Sequence, residues 1–138
     1  MSVHKDKDKK VKVIAGKFEN AEGPVRGHNV EPVYFDVELK KDKDFTYEIP
    51  KTHNSFIYLI NGEIKIGSKD HEEVTNSTLI LLTQGNKLSI KAISNAKFLV
   101  ISGKPINEQI ARGGPFVMNT KAEILQAVQD YHNGTFVK

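Results

Sequence analysis

"SFIYLINGEIKIG", Ser55 to Gly67, is the stretch whose reading decides the fold. Its first six residues are apolar on both faces, as in a strand enclosed between neighbours. Asn61-Gly62 follows, a pair that tolerates positive φ, and "EIKIG" then alternates with the period of a half-buried strand. The pattern predicts a hairpin turning at Asn61-Gly62. Working outward, "VYFDVEL" puts Val33, Phe35, Val37 and Leu39 on one face and Tyr34, Asp36 and Glu38 on the other. "VKVIAG", "FTYEIP", "TLILL", "KLSIKAI" and "KFLVIS" read as further strands between short polar turns. Strands of this length, with turns at intervals of about 8–12 residues, predict a barrel or a sandwich. "KFENAEGPVRGHN" is rich in Gly and Asn and contains a Pro, so it reads as a loop or an irregular crossing.

The period changes once. Thr120 and Glu123 fit a capping box, in which hydroxyl and carboxylate satisfy each other's backbone donors. Ile124, Leu125, Val128 and Tyr131 recur at helical spacing, and Asn133-Gly134 supplies the stop. Such a helix is about 18 Å long. It is too short to stand alone, so it is expected to dock its apolar stripe on the outer side of the barrel, with "GPFVM" as the hook before it.

The 138 residues and 38% hydrophobic content suit one domain with one core. The net charge is +3, but the first ten residues hold four Lys against two Asp, so most of it sits in a sign-alternating leader. No basic face interleaved with aromatics exists to grip nucleic acid. There is no cysteine, which removes disulfides and thiol catalysis and fits a reducing cytoplasm. No apolar run approaches the roughly 20 residues of a membrane span. Residues 1–10 are expected to be a flexible leader and 11–138 a single domain.

"VIAGKFENAEGPV", "THNSFIYLINGEIKIG" and "SGKPINEQIARGGPFVMNTKAEILQAVQDYHNGTF", in that order, resemble the C-terminal half of the pirin family over residues 11–136. "GPFVMNT" followed by the capped helix is the most specific part. Pirins are bicupins, two β-barrels facing one another in one polypeptide. The resemblance therefore implies an all-β cupin, a double-stranded β-helix or jelly-roll-like barrel of roughly ten strands with one C-terminal helix. "MSVHKDKDKKVKVIAG" begins where an interdomain linker of a longer pirin would lie.

Some pirins act as quercetinases, opening flavonols with oxygen at an iron held by three His and one Glu of the N-terminal barrel. None of those ligands is carried over here. The general cupin pattern has two His one residue apart, a Glu about five further on and a third His in a later strand. Set on "YLINGE", those positions fall on Glu48 and Pro50, near Ser55 and near Leu88, so only Glu48 survives as a ligand. The resemblance thus implies no metal site, no catalytic residue and no resident cofactor, with iron only if the chain is part of an enzyme. Should a metal bind, Glu48, His53 and His28 are the candidates.

Each has a plainer reading. His53, in "THNSF", reads as a hydrogen-bonded turn histidine, since a lone His rarely finds further ligands. His28 reads as a loop residue, and His132 as a cation at a helix C-terminus. "DHEE", Asp70 to Glu73, has metal-like composition, but neighbours along an extended turn point different ways. Tyr34, Tyr47 and Tyr58 could line the barrel and hold a planar ligand, or simply fill it. Ser55 has no His–acid pair at a recognisable spacing.

Three functions follow. The first is a non-catalytic association module, either a homodimer imitating the bicupin or a partner for a separate N-terminal cupin or other protein. The second is one part of a quercetinase, and the third a barrel that binds a small planar ligand.

Overall fold

The computed structural model describes residues 2–26, 29–67 and 72–137. They fall into two compact units, Met1–Pro105 and Ile106–Lys138. The first unit contains β1 (Ser2–Lys5), β2 (Lys9–Ala15), β3 (Lys17–Phe18), β4 (Ala21–Glu22), β5 (Val33–Leu39), β6 (Asp44–Glu48), β7 (Asn54–Asn61), β8 (Ile64–Ile66), β9 (Glu72–Val74), β10 (Thr78–Leu81), β11 (Lys87–Ala92) and β12 (Ala96–Gly103). Six of them form one antiparallel sheet, in the order β1-β2-β5-β12-β7-β10, and four form another, β6-β11-β8-β9. The two sheets make the sandwich expected of a jelly-roll cupin. Among the described residues no helix is long and apolar enough to cross a membrane.

Alternation along the strands builds the core. β5 buries Val33, Phe35, Val37 and Leu39, β12 buries Ala96, Phe98, Val100 and Ser102, and β11 sends Leu88, Ile90 and Ala92 inward from the smaller sheet. Aromatic rings join the two layers. Phe45 of the smaller sheet meets Phe98 of the larger edge-on at 5.6 Å between ring centres. Tyr47 meets Phe35 edge-on at 4.9 Å. Phe18 stacks on Phe45 at 5.4 Å and meets Phe35 edge-on at 5.7 Å. Each such pair adds about 0.5–1.5 kcal/mol beyond the area it buries.

The expected hairpin at Asn61-Gly62 does not form. β7 pairs with β12 and β10, whereas β8 pairs with β11 and β9, so the chain leaves one sheet and enters the other at this point. Gly62 is the corner. Its φ is +93°, its N–H donates to Asn76 Oδ1, and a Cβ there would fall on the Asn95 carbonyl and Ala96. The same residue pair that permits a tight turn also permits a sheet-switching corner, and local sequence does not separate them.

The leader carries the first strand of the large sheet. β1 pairs along its whole length with β2. The Asp6 carboxylate closes the turn between them by accepting the backbone N–H of Asp8 and of Lys9, at 2.7 and 2.8 Å. These bonds hold its carboxyl well below the usual carboxylate range. The segment read as a loop carries β3, β4 and the buried ring of Phe18.

The second unit is a β-hairpin, β13 (Ala111–Gly113) with β14 (Phe116–Met118), followed by α1 (Lys121–His132). "GPFVM" is thus a turn and a strand. Both halves of the Thr120–Glu123 capping box are made, and Gly134 ends the helix with φ +70°. Ile124 packs against Gly113, where a Cβ would collide with it. Leu125 and Tyr131, expected in the buried stripe, are 71% and 67% exposed, while Ala127 is buried.

Gly62→Ala should cost about 2–4 kcal/mol, because it combines left-handed backbone strain with a backbone clash. Urea unfolding measures this. A neutral result would mean that the corner is not held by Gly62.

Candidate functional site

His53 and Ser102 are the buried polar residues among those described, and they touch. His53 stands where the chain turns into β7, its N–H donating to the Pro50 carbonyl at 2.9 Å. Ser102 is the last inward residue of β12, a position where alternation alone would place an apolar side chain. Ser55 Oγ donates to Ser102 Oγ at 2.8 Å, and Ser102 Oγ lies 3.1 Å from His53 Nδ1. With Ser55 donating, the hydrogen of Ser102 is free to go to Nδ1. The tautomer assigned from that direction carries its proton on Nε2, which faces Glu31 Oε2 at 3.9 Å.

His53 separates two openings at one end of the sandwich. On one side is a cavity of about 190 Å³ bounded by Ile49, Ser55, Leu82, Lys87 and Leu88. On the other is an open depression bounded by Glu31, Val33, Tyr47, Glu48 and Pro50. The positions singled out by the cupin pattern are divided between the two, Ser55 and Leu88 on the cavity and Glu48 and Pro50 on the depression.

Their chemistry does not fit an iron. Glu48 is exposed and sits opposite Lys87 of the neighbouring strand. Pro50 offers no side-chain donor, the Ser55 hydroxyl is engaged by Ser102, and the late position holds the buried side chain of Leu88. His53 Nδ1 is engaged by Ser102 at 3.1 Å, and its Nε2 faces Glu31. Among the described residues no three His, Cys, Asp or Glu converge. His28 lies outside the described residues, as do Asp70 and His71 of "DHEE". Glu72 and Glu73 of that motif are in β9, with Glu73 paired to Lys65 at 2.8 Å.

The three tyrosines do not share a wall. Tyr47 points inward against Phe35 and Phe18, and burial pushes its phenol above the usual range. Tyr34 and Tyr58 point outward from the large sheet and are exposed. There they join a cross-strand row. Tyr34, Ile101, Phe56 and Leu81 lie side by side across β5, β12, β7 and β10, and Leu99, Tyr58 and Leu79 form the next row. The other end of this second row is polar, with Asp36 Oδ2 held by Lys12 at 3.1 Å and by Lys97 at 3.8 Å. Sequence reasoning did not locate this patch on particular strands, and it missed Ser102. Apolar residues on both faces of "SFIYLI" were the available signal for the patch.

The family model for the pirin C-terminal cupin domain matches residues 34–137. The chain belongs to the pirin family. A pirin-like protein of Solanum lycopersicum is 41% identical over 104 residues, covering 74% of this chain and 36% of that protein. A Pseudomonas aeruginosa protein provisionally named quercetin 2,3-dioxygenase is 34% identical over 129 residues, covering 91% of this chain and 45% of its own length. The crystal structure of an Acinetobacter baumannii quercetin 2,3-dioxygenase superposes with a TM-score of 0.81 at 32% identity, over 99% of this chain and 47% of that one. The chain thus spans less than half the length of these relatives. Within this pirin C-terminal barrel, Ser55, Ser102 and His53 form a hydroxyl–imidazole network.

Ser102→Ala should cost about 1–3 kcal/mol by stripping His53 of its buried partner, and Ser55→Ala, nearer solvent, less than about 1 kcal/mol. Denaturant unfolding of the two variants ranks them. Equal losses would show that Ser102 is not the hub.

Proposed function

We propose that this pirin C-terminal barrel works by association rather than by chemistry of its own. The observation that supports this most is the exposed pair of apolar rows on the large sheet. Contiguous apolar surface of this kind, edged by the Lys12–Asp36–Lys97 cluster, usually marks a place where another protein binds. The occupant is a second cupin barrel, supplied by another copy of the chain or by a separate polypeptide. The site of action is taken to be the cytoplasm, in keeping with the cysteine-free composition.

A second reading has its own support. Relatives named as quercetin 2,3-dioxygenases are about twice as long as this chain, so the barrel would serve as one half of such an enzyme. In that case the flavonol chemistry and its iron belong to the other half, and this half positions it. The third reading, a planar ligand held by the tyrosines, loses support because Tyr34 and Tyr58 face away from Tyr47.

The purified chain, loaded with ferrous iron and desalted, should retain metal in fewer than about one chain in ten. Given a flavonol, it should consume no oxygen above the buffer blank. Near-stoichiometric iron with sustained uptake would overturn the association reading and restore a catalytic one.

A further inference from the structure

The two sheets have four edges, and three of them carry charge. β1 leads into Asp6, Lys7 and Asp8, β6 contains Asp44 and Glu48, and β9 contains Glu72 and Glu73. Charged side chains at an edge discourage pairing with another strand. β10 is different. From Asn76 to Thr83 the chain has no charged residue and no proline, and Leu79 and Leu81 are 56% and 77% exposed.

The register shows which backbone groups β10 leaves free. The Leu82 N–H donates to the Ser55 carbonyl, so the positions that bond to β7 are Leu82, Ile80 and Thr78. In an antiparallel ladder the intervening residues point their N–H and C=O the other way. Leu79 and Leu81 therefore turn both groups outward, and among the described residues none of these groups has a partner. An open edge of this kind is a template for strand addition.

We infer that β10 pairs antiparallel with β10 of a second copy, about a two-fold axis through Ile80. This rests on the association reading and names its partner and surface. In that register Leu79 of each copy faces Leu81 of the other, and each outward N–H and C=O of the two residues is satisfied. The apolar rows also become continuous, with Phe56 and Leu81 of one copy running on into Leu79 and Tyr58 of its partner. The paired strands themselves bring no like charges together, although Glu72 and Glu73 of β9 line the hollow beside Leu79 and Leu81 in each copy. The two large sheets join into one, and the exposed leucines become cross-strand neighbours.

Sedimentation velocity over about a hundredfold range of concentration tests this with Leu81→Pro. Proline removes one outward N–H and leaves the β7 ladder intact, since Leu81 takes no part in it. The wild-type chain should dimerise, and Leu81→Pro should weaken dimerisation at least about tenfold, with the same thermal midpoint as the wild type at concentrations where both are monomeric. A dimer that survives both Leu81→Pro and Leu81→Lys would overturn the β10 pairing while leaving association through another surface. A wild-type monomer throughout the range would sink both. Should the proline variant fail to fold, Leu81→Lys and amide exchange decide. Rapid exchange at Leu79 and Leu81 in the wild-type dimer would overturn the pairing.

Discussion

Phe18, Phe35, Phe45, Tyr47 and Phe98 hold the two sheets against one another, and most of what this barrel can and cannot do depends on them. The rings come from both layers and from the short β3 ribbon, and they interlock stacked and edge-to-face. A sandwich packed this way keeps its layers about 10 Å apart without needing a ligand between them. At the cavity beside His53, Leu88 occupies one of the expected ligand positions, and Ser55, Ser102 and His53 contact one another.

The outer face of the large sheet changes character across its width. β2 and β5 carry lysines and carboxylates in mutual contact, whereas β7, β10 and the end of β12 carry leucine, isoleucine and aromatic side chains. Surface ion pairs contribute little to stability, but they keep the charged half of the face soluble. The apolar half ends at the uncharged β10 edge, which is why a partner is sought there.

Much of the fold was legible in the sequence. The alternation of Val33 to Leu39 matches β5 residue for residue, and the capping box matches α1. Period and capping are local properties, so a linear reading finds them. The failures were of a different kind. Asn61-Gly62 satisfies either a hairpin or a corner, and the choice depends on which distant strands β7 and β8 pair with. Phe18 looked like a loop residue because its neighbours are polar, and only the folded chain brings it against Phe45. Ser102 was hidden by an apolar run, since its burial is made tolerable by His53, which lies 49 residues away in sequence. At the site, the outward direction of Tyr34 and Tyr58 required the register.

Titration of the isotopically labelled chain with a planar flavonol, followed by amide chemical shifts, tests most directly whether the barrel is filled by its own side chains. A filled barrel predicts no saturable shifts at Phe18, Phe35, Phe45 or Phe98. Saturable shifts at those residues would mean that the rings part to admit a ligand, and that the chain works from the inside after all.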